Sequence, residues 1–229
     1  MDHSDTMFQR LQEFPLLIGL SKGQLMHIVE TMDFDFRKLC ADTPLAMQGE
    51  RCARLIYLLT GTLEVKRLLS NTSIEISEQV SGATQAPYPI EPCNLWGMKQ
   101  LFTHTYTLMT AGSVCILRKQ QVATLIAEHE VVRTNMLSVS CNAVQRAAAF
   151  KAMPFPSTPT ERLQRFILLN TLTASGPVSI ASCMTELAAF LGISRLALST
   201  VLHKMADEEL LTIERRGICI PDVQKILVQ

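Results

Sequence analysis

The chain has 229 residues, 48% of them apolar, and its 21 lysines and arginines balance 21 aspartates and glutamates. That length and apolar content suffice for two modest domains, each with its own core, while the zero net charge supplies no global basic field that would announce a nucleic-acid partner. The seven cysteines (Cys40, Cys52, Cys93, Cys115, Cys141, Cys183 and Cys219) are scattered without a Cys-x-x-Cys pair. Neither a zinc site nor a disulfide framework is indicated, and reduced thiols in a cytosol are expected.

The opening Met-Asp-His-Ser-Asp lacks the basic-then-apolar order of a signal peptide, and no apolar run reaches spanning length, so a cytoplasmic protein is expected. Residues 8–31 predict one or two short helices through Phe8, Leu11, Phe14, Leu16 and Leu17, then Leu25, Ile28 and Val29, with Ser21 as a cap between them. From Met32 to about Leu125 the pattern changes to short β segments. These are Phe34–Cys40, Pro44–Gln48, Leu55–Leu59, Thr62–Leu69, Ile74–Val80, Leu108–Thr110 and Val114–Leu117, with tight turns at Gly49-Glu50 and Thr60-Gly61. Strands at this rhythm, with no long helix among them, predict an antiparallel barrel or jelly roll.

Helical period returns over Glu128–Phe150. Val132, Met136, Val139, Ala143 and Phe150 form one stripe, with Leu137, Val144 and Ala148 beside it, so the helix is apolar on more than one face. One side can pack on the barrel and the other on a second copy of the chain; the stripe from Val132 to Phe150 is taken as the dimer seam. Met153-Pro154-Phe155-Pro156 breaks the helix and forms a stiff hinge, and Thr158-Pro159-Thr160-Glu161 is a capping box opening a helix over Glu161–Leu172.

The stretch from Ser182 to Lys204 carries the functional reading. Leu187, Ala188 and Phe190 give a first short helix its apolar face, with Ser182 placed to cap it. Gly192 sits where a left-handed residue is needed, and Ser194 caps a second helix held by Leu198, Val201, Leu202 and Met205. The other face of that helix offers Arg195, Leu196, Ser199, Thr200, His203 and Lys204 to solvent. A helix anchored by its apolar back, with polar tips at an exposed N-terminal end, suits a DNA major groove. Leu211–Ile220 then reads as a hairpin around Arg215-Arg216-Gly217, a basic-tipped wing. Residues 155–229 are nonetheless charge-balanced, which counts mildly against DNA; the basic residues after 190 cluster on the second helix and the wing.

The order of parts resembles the family of the catabolite activator protein and the fumarate-nitrate regulator (CRP/FNR). The resemblance rests on Leu45, Gly49, Glu50, Leu55, Tyr57, Gly61 and Val65 in the strand region, and on Glu186-Leu-Ala followed by Leu-Gly-Ile-Ser-Arg195. It implies an α+β chain in three parts. Residues 1–127 would be a cyclic-nucleotide-binding-like β-roll that senses an effector, 128–152 a dimerisation helix, and 153–229 a winged helix-turn-helix. It further implies a homodimeric bacterial transcription regulator that binds double-stranded DNA at an inverted repeat, with RNA polymerase as a further partner. The expected DNA contacts are Ser182, Ser194, Arg195, Leu196, Ser199, Thr200, His203, Lys204, Arg215 and Arg216, with Arg195 as the bidentate reader of a guanine.

Departures from the family pattern bear on the signal. The family's phosphate-binding cassette reads Gly97-Met98-Lys99-Gln100-Leu101-Phe102 in this chain, without the ribose-binding glutamate or the arginine, and Ala147-Ala148 stand where the purine contacts belong. The corresponding pocket would comprise Gly97, Met98, Thr105, Tyr106, Ala147 and Ala148, and cyclic AMP is not expected to bind it. The first cysteine is Cys40, too late for the iron-sulfur members' cluster. His3, His27, His104 and His129 stand alone rather than as a haem site, while Lys99 and His104 are the cations that could meet an anion. No cofactor is expected. Leu196 and Thr200 replace the family's glutamate and second arginine, so a different half-site should be read. The alternatives are a ligand-independent dimeric scaffold and a haem or small-molecule sensor. An enzyme is not expected, because the sequence shows no nucleophile triad, Cys-His pair, phosphate-cradling glycine loop or zinc spacing.

Overall fold

The structure, a computed structural model, describes residues 11–82, 87–172 and 176–227. Phe8 and His3 lie outside the described residues, as does the side chain of Phe150. The described chain forms two compact units. The first comprises the described parts of Met1–Leu63, Ser81–Thr103 and Leu108–Lys151, and the second Glu64–Val80, His104–Thr107 and the described parts of Ala152–Gln229.

The first unit opens with a turn-rich segment whose Leu11, Phe14, Leu16 and Leu17 are buried. Helix α1 (Lys22–Thr31) follows, capped as expected by Ser21: its hydroxyl accepts from Gln24 N–H while the Gln24 side chain accepts from Ser21 N–H. Strands β1 (Asp35–Leu39), β2 (Pro44–Ala46), β3 (Arg54–Thr60), β4 (Thr62–Leu68), β5 (Glu75–Ser81), β6 (Tyr88–Ile90), β7 (Thr105–Leu108) and β8 (Gly112–Arg118) come next. An antiparallel sheet of order β1-β8-β3-β6 forms within this unit, with Tyr57 opposite Cys115 and Ile56 opposite Ile90. In β3, Leu55, Ile56, Tyr57 and Leu58 are all buried, so this strand is covered on both faces; Phe14 lies 4.5 Å from the Tyr57 ring. Strand β6 and the 3-10 turn Pro92–Leu95 were not anticipated, and β7 begins three residues before the expected Leu108.

Two helices close the unit. Helix α2 (Lys119–Glu128) occupies sequence expected to be strand or connection, a correction to the reading of residues 32–125. It starts directly after β8, with the Gln121 side chain accepting from Arg118 N–H at 2.7 Å, and buries Val122 and Leu125. His129, in extended conformation, separates it from α3 (Glu130–Ala152). The first turns of α3 face the unit's own core: Val132 and Met136 are buried, and Asn135 donates to the carbonyls of Leu16 and Ile18. This corrects the seam, because two of its expected members are already covered by their own chain. Val139 and Ala143 are half-buried, and the exposed apolar side chains are Leu137 and Val144.

The second unit begins with α4 (Pro159–Asn170), whose capping box between Thr158 and Glu161 is as the sequence predicts. Strand β9 (Val178–Ala181), helices α5 (Met184–Leu191) and α6 (Arg195–Asp207), strands β10 (Thr212–Glu214) and β11 (Gly217–Ile220) and the short α7 (Val223–Leu227) complete it. Its strands lie in the order β10-β11-β9-β5-β4-β7. Strand β5 thus pairs antiparallel with β9, placing Ile76 opposite Ile180 and Ser77 opposite Ser179. Leu69, Ile74 and Ile76 of the β4–β5 hairpin accordingly join Leu163, Phe166 and Leu202 in one core. Among the described residues no single helix is long and apolar enough to cross a membrane.

Candidate nucleic-acid interface

The reading helix is set by three local devices. Helix α5 ends at Gly192, held at φ 66°, where its N–H bonds the last carbonyls of the helix and Ile193 N–H bonds Ala188 O at 3.0 Å. Arg162 donates to the carbonyls of Leu191 and Gly192 at 3.2 and 2.9 Å, an added C-terminal cap from α4. Ser194 then caps α6, its Oγ accepting from Ala197 N–H at 3.1 Å. The axes of α5 and α6 turn by 101° across this corner, within the range of a helix-turn-helix.

One expected residue is displaced. Ser182 is buried, and its hydroxyl donates to the Cys183 carbonyl at 3.0 Å, so it neither caps α5 nor reaches solvent. Cys183 is the cap: its Sγ accepts from Glu186 N–H at 3.4 Å. The thiol takes the place usually filled by a hydroxyl, which sequence preference alone does not suggest.

On α6, Leu198, Val201, Leu202 and Met205 are buried, while Ser194, Arg195, Leu196, Thr200, His203 and Lys204 are exposed and Ser199 is half-buried. Leu196 is 78% exposed, an apolar tip presented to solvent. The Thr200 hydroxyl donates back to Leu196 O at 3.0 Å, leaving its oxygen free only to accept. Lys204 is 4.0 Å from Glu208, a weak exposed pair.

The wing is tight. Glu214 pairs with Gly217, so Arg215 and Arg216 alone form the turn, and both are exposed. Arg195, Arg215 and Arg216 line one groove of about 610 Å3, together with Met184 and Thr185 at the start of α5. Among the described residues none pairs or hydrogen-bonds with these three guanidinium groups. Three uncommitted arginines beside a helix N-terminus make a local anion-binding surface on a chain of zero net charge.

Met98 is wholly exposed, Gly97, Ala147 and Ala148 face solvent, and Tyr106 is buried. The loop around Gly97 is fastened by its own carboxylate: Glu91 accepts from the N–H and the hydroxyl of Thr103 at 2.8 Å each, and from Asn94. Glu91 thus takes the Thr103 and Asn94 donors at this loop. A different, apolar groove of about 500 Å3 lies alongside, lined by Trp96, Ile126, Arg133, Met136 and Leu137. The chain's single tryptophan was the one sequence signal for it. All seven cysteines are free thiols; burial pushes Cys115 up to about 12 and Cys52 up to about 11, which keeps both unreactive. Among the described residues no cluster of histidine, cysteine, aspartate or glutamate is placed to hold a metal ion.

Residues 161–227 match the family model of the Crp-like helix-turn-helix domain. The matched segment contains every lining residue of the arginine groove except Ser73. Over the whole chain the fold is similar to that of the catabolite activator protein of Thermus thermophilus, at 18% identity and TM-score 0.50, covering 94% of this chain and 97% of that one. It is also similar to DNR from Pseudomonas aeruginosa, at 19% identity and TM-score 0.48, covering 99% and 98%. A putative cyclic nucleotide binding protein from Ruegeria pomeroyi has 14% identity and TM-score 0.46, covering 99% and 97%. Among curated proteins none matches this sequence. The α+β architecture of an antiparallel strand region, helices and a C-terminal Crp-like domain is thus the one the sequence reading expected.

Proposed function

We propose that the chain is a homodimeric, sequence-specific transcription regulator of the CRP/FNR type that answers to a signal other than cyclic AMP, and is not an enzyme. The observation that carries this reading is the groove in which Arg195, at the exposed start of α6, stands with the wing arginines Arg215 and Arg216, all three without a partner among the described residues. Arginines that make no ion pair among the described residues, although Glu214 lines the same groove, are available for bases and phosphates. The exposed apolar line on α3 supports a dimer: Leu137, Cys141, Val144 and Ala148 follow the 4-3-4 spacing of a coiled-coil seam. Two reading helices related by a two-fold axis need an inverted repeat with half-sites about 34 Å apart. RNA polymerase is the partner such a regulator addresses once bound.

The signal follows from what the cassette lacks. Gly97 and Met98 stand in solvent, and Glu91 already takes the Thr103 and Asn94 donors beside them, which supports an effector without a cyclic phosphate. Calorimetric titration with cyclic AMP should therefore show no tight binding; tight binding of any cyclic nucleotide would overturn this part of the reading.

Selection of randomised duplexes by the purified protein tests the whole. An inverted repeat should emerge that differs from the one read by the catabolite activator protein, because Leu196 offers only apolar contact, suited to a thymine methyl. On that operator Arg195→Ala should cost about 1–3 kcal/mol, concentrated at one base pair. Arg216→Ala should weaken all sequences alike and lower the salt slope by about one, because a wing arginine meets phosphate. Selection of no repeat at all removes the regulator reading.

A further inference from the structure

The β4–β5 hairpin lies outside the matched segment 161–227, yet it is built into the second unit. Strand β5 extends the wing sheet through β9, with Glu75 opposite Ala181, Ile76 opposite Ile180, Ser77 opposite Ser179 and Glu78 opposite Val178. This is strand addition: backbone pairing supplies adhesion, and alternate side chains enter the core. Ile74 and Ile76 are buried, as is Leu69 on the other arm. Two carboxylates fasten the edges. Glu78, itself buried, accepts from Leu172 N–H at 2.9 Å just beyond α4, and Glu186 in the first turn of α5 accepts from both the N–H and the hydroxyl of Ser73.

The hairpin's connection is the part that meets the interface. Leu69 N–H bonds Ile74 O and Thr72 N–H bonds Leu69 O, which closes a tight turn with Ser70, Asn71 and Ser73 exposed. Ser73 lines the same groove as Arg195, Arg215 and Arg216. A duplex backbone laid on the α5 N-terminus and the wing arginines therefore meets this turn at the rim. It also meets the Glu186 carboxylate that Ser73 holds, and the Ser73 side-chain and backbone hydrogen bonds lower the pKa of Glu186 and keep it ionised. The hairpin's two ends run on in sequence into Leu63 and Ser81, which belong to the other unit.

We infer that the β4–β5 hairpin is an autoinhibitory strap: docked along β9 and pinned to Glu186 by Ser73, it obstructs the arginine groove, and it must leave for the duplex to enter. The inference rests on the DNA-binding reading of that groove.

A reversible lock tests it in the full-length protein. Ser77→Cys with Ser179→Cys, made in a Cys219→Ser background because Cys219 stands opposite Ser179 on its other side, places two thiols on directly opposed residues of an antiparallel pair, within reach of a disulfide. The oxidised double variant should bind the selected operator at least about tenfold more weakly than the same protein reduced, as expected when one state of a two-state element is withdrawn. The unsubstituted protein, carried through the same oxidation, should bind equally in both conditions. Ser73→Ala, which removes one half of the pin and no DNA contact, should bind more tightly than the unsubstituted protein. Equal or tighter binding by the locked form, weaker binding by Ser73→Ala, or failure of the two cysteines to cross-link overturns the strap and leaves the DNA reading standing. If neither the reduced nor the oxidised form binds duplex, the DNA reading falls and the strap with it.

Discussion

Val144→Glu is expected to leave the protein monomeric and to reduce operator affinity by about 10²–10⁴, the advantage that linking two binding modules confers. Val144 is 68% exposed and Leu137, one heptad earlier, 60% exposed, on a helix whose opposite side is committed to its own core. A carboxylate at this position costs the folded monomer nothing, since it stays in water. In the dimer it sets two like charges into an apolar seam, where an unpaired buried charge costs several kcal/mol. Val132→Glu is the contrast. Val132 is fully buried within the first unit, so its substitution should lower the melting temperature rather than dissociate a dimer. Sedimentation velocity on both variants, with thermal melts alongside, separates the two effects. A Val144→Glu protein that still sediments as a dimer would remove α3 as the seam.

Gly217→Ala should unseat the wing. Gly217 opens β11 directly opposite Ala181, and a methyl added there would stand 2.1 Å from the Ile180 carbonyl oxygen and 3.1 Å from the Ala181 Cα. Both are backbone atoms of β9, so neither can swing aside as a side chain tip would. The strand pair must part, at about 1–3 kcal/mol for this kind of overpacking. Arg215 and Arg216 immediately precede Gly217, so non-specific DNA affinity should fall with the stability. Gly23→Ala is the matched control: Gly23 lies in α1 with nothing within 4 Å of the added methyl, and the change should stabilise by about 0.5–1 kcal/mol. A Gly217→Ala protein that melts with the parent would show that β11 can retreat from β9 without loss.

Much of the reading head was legible because its signals are local. The Ser194 cap, the Gly192 turn, the buried set Leu198, Val201, Leu202 and Met205, and the two-arginine wing turn each depend on neighbours within a few residues. Backbone geometry then leaves few alternatives. The exception within it is instructive: Ser182 and Cys183 are adjacent, both could cap, and only the path of the backbone leaving β9 decides that the thiol does. Helix α2 escaped because its ten residues bury only Val122 and Leu125 and no glycine or proline punctuates its junction with β8.

The sequence by itself determined the order of parts and the helix-turn-helix with its basic wing. Both are written in residue type and short-range spacing. Tertiary structure alone decided which apolar face of α3 is spent on the core, since a helix apolar on several sides carries no mark of which neighbour will cover which side. It alone placed β5 against β9 and Ser73 on Glu186, 113 residues away in sequence. An edge strand's unpaired N–H and C=O groups accept any strand of compatible pattern, so side-chain period states that a strand exists but not which partner it takes.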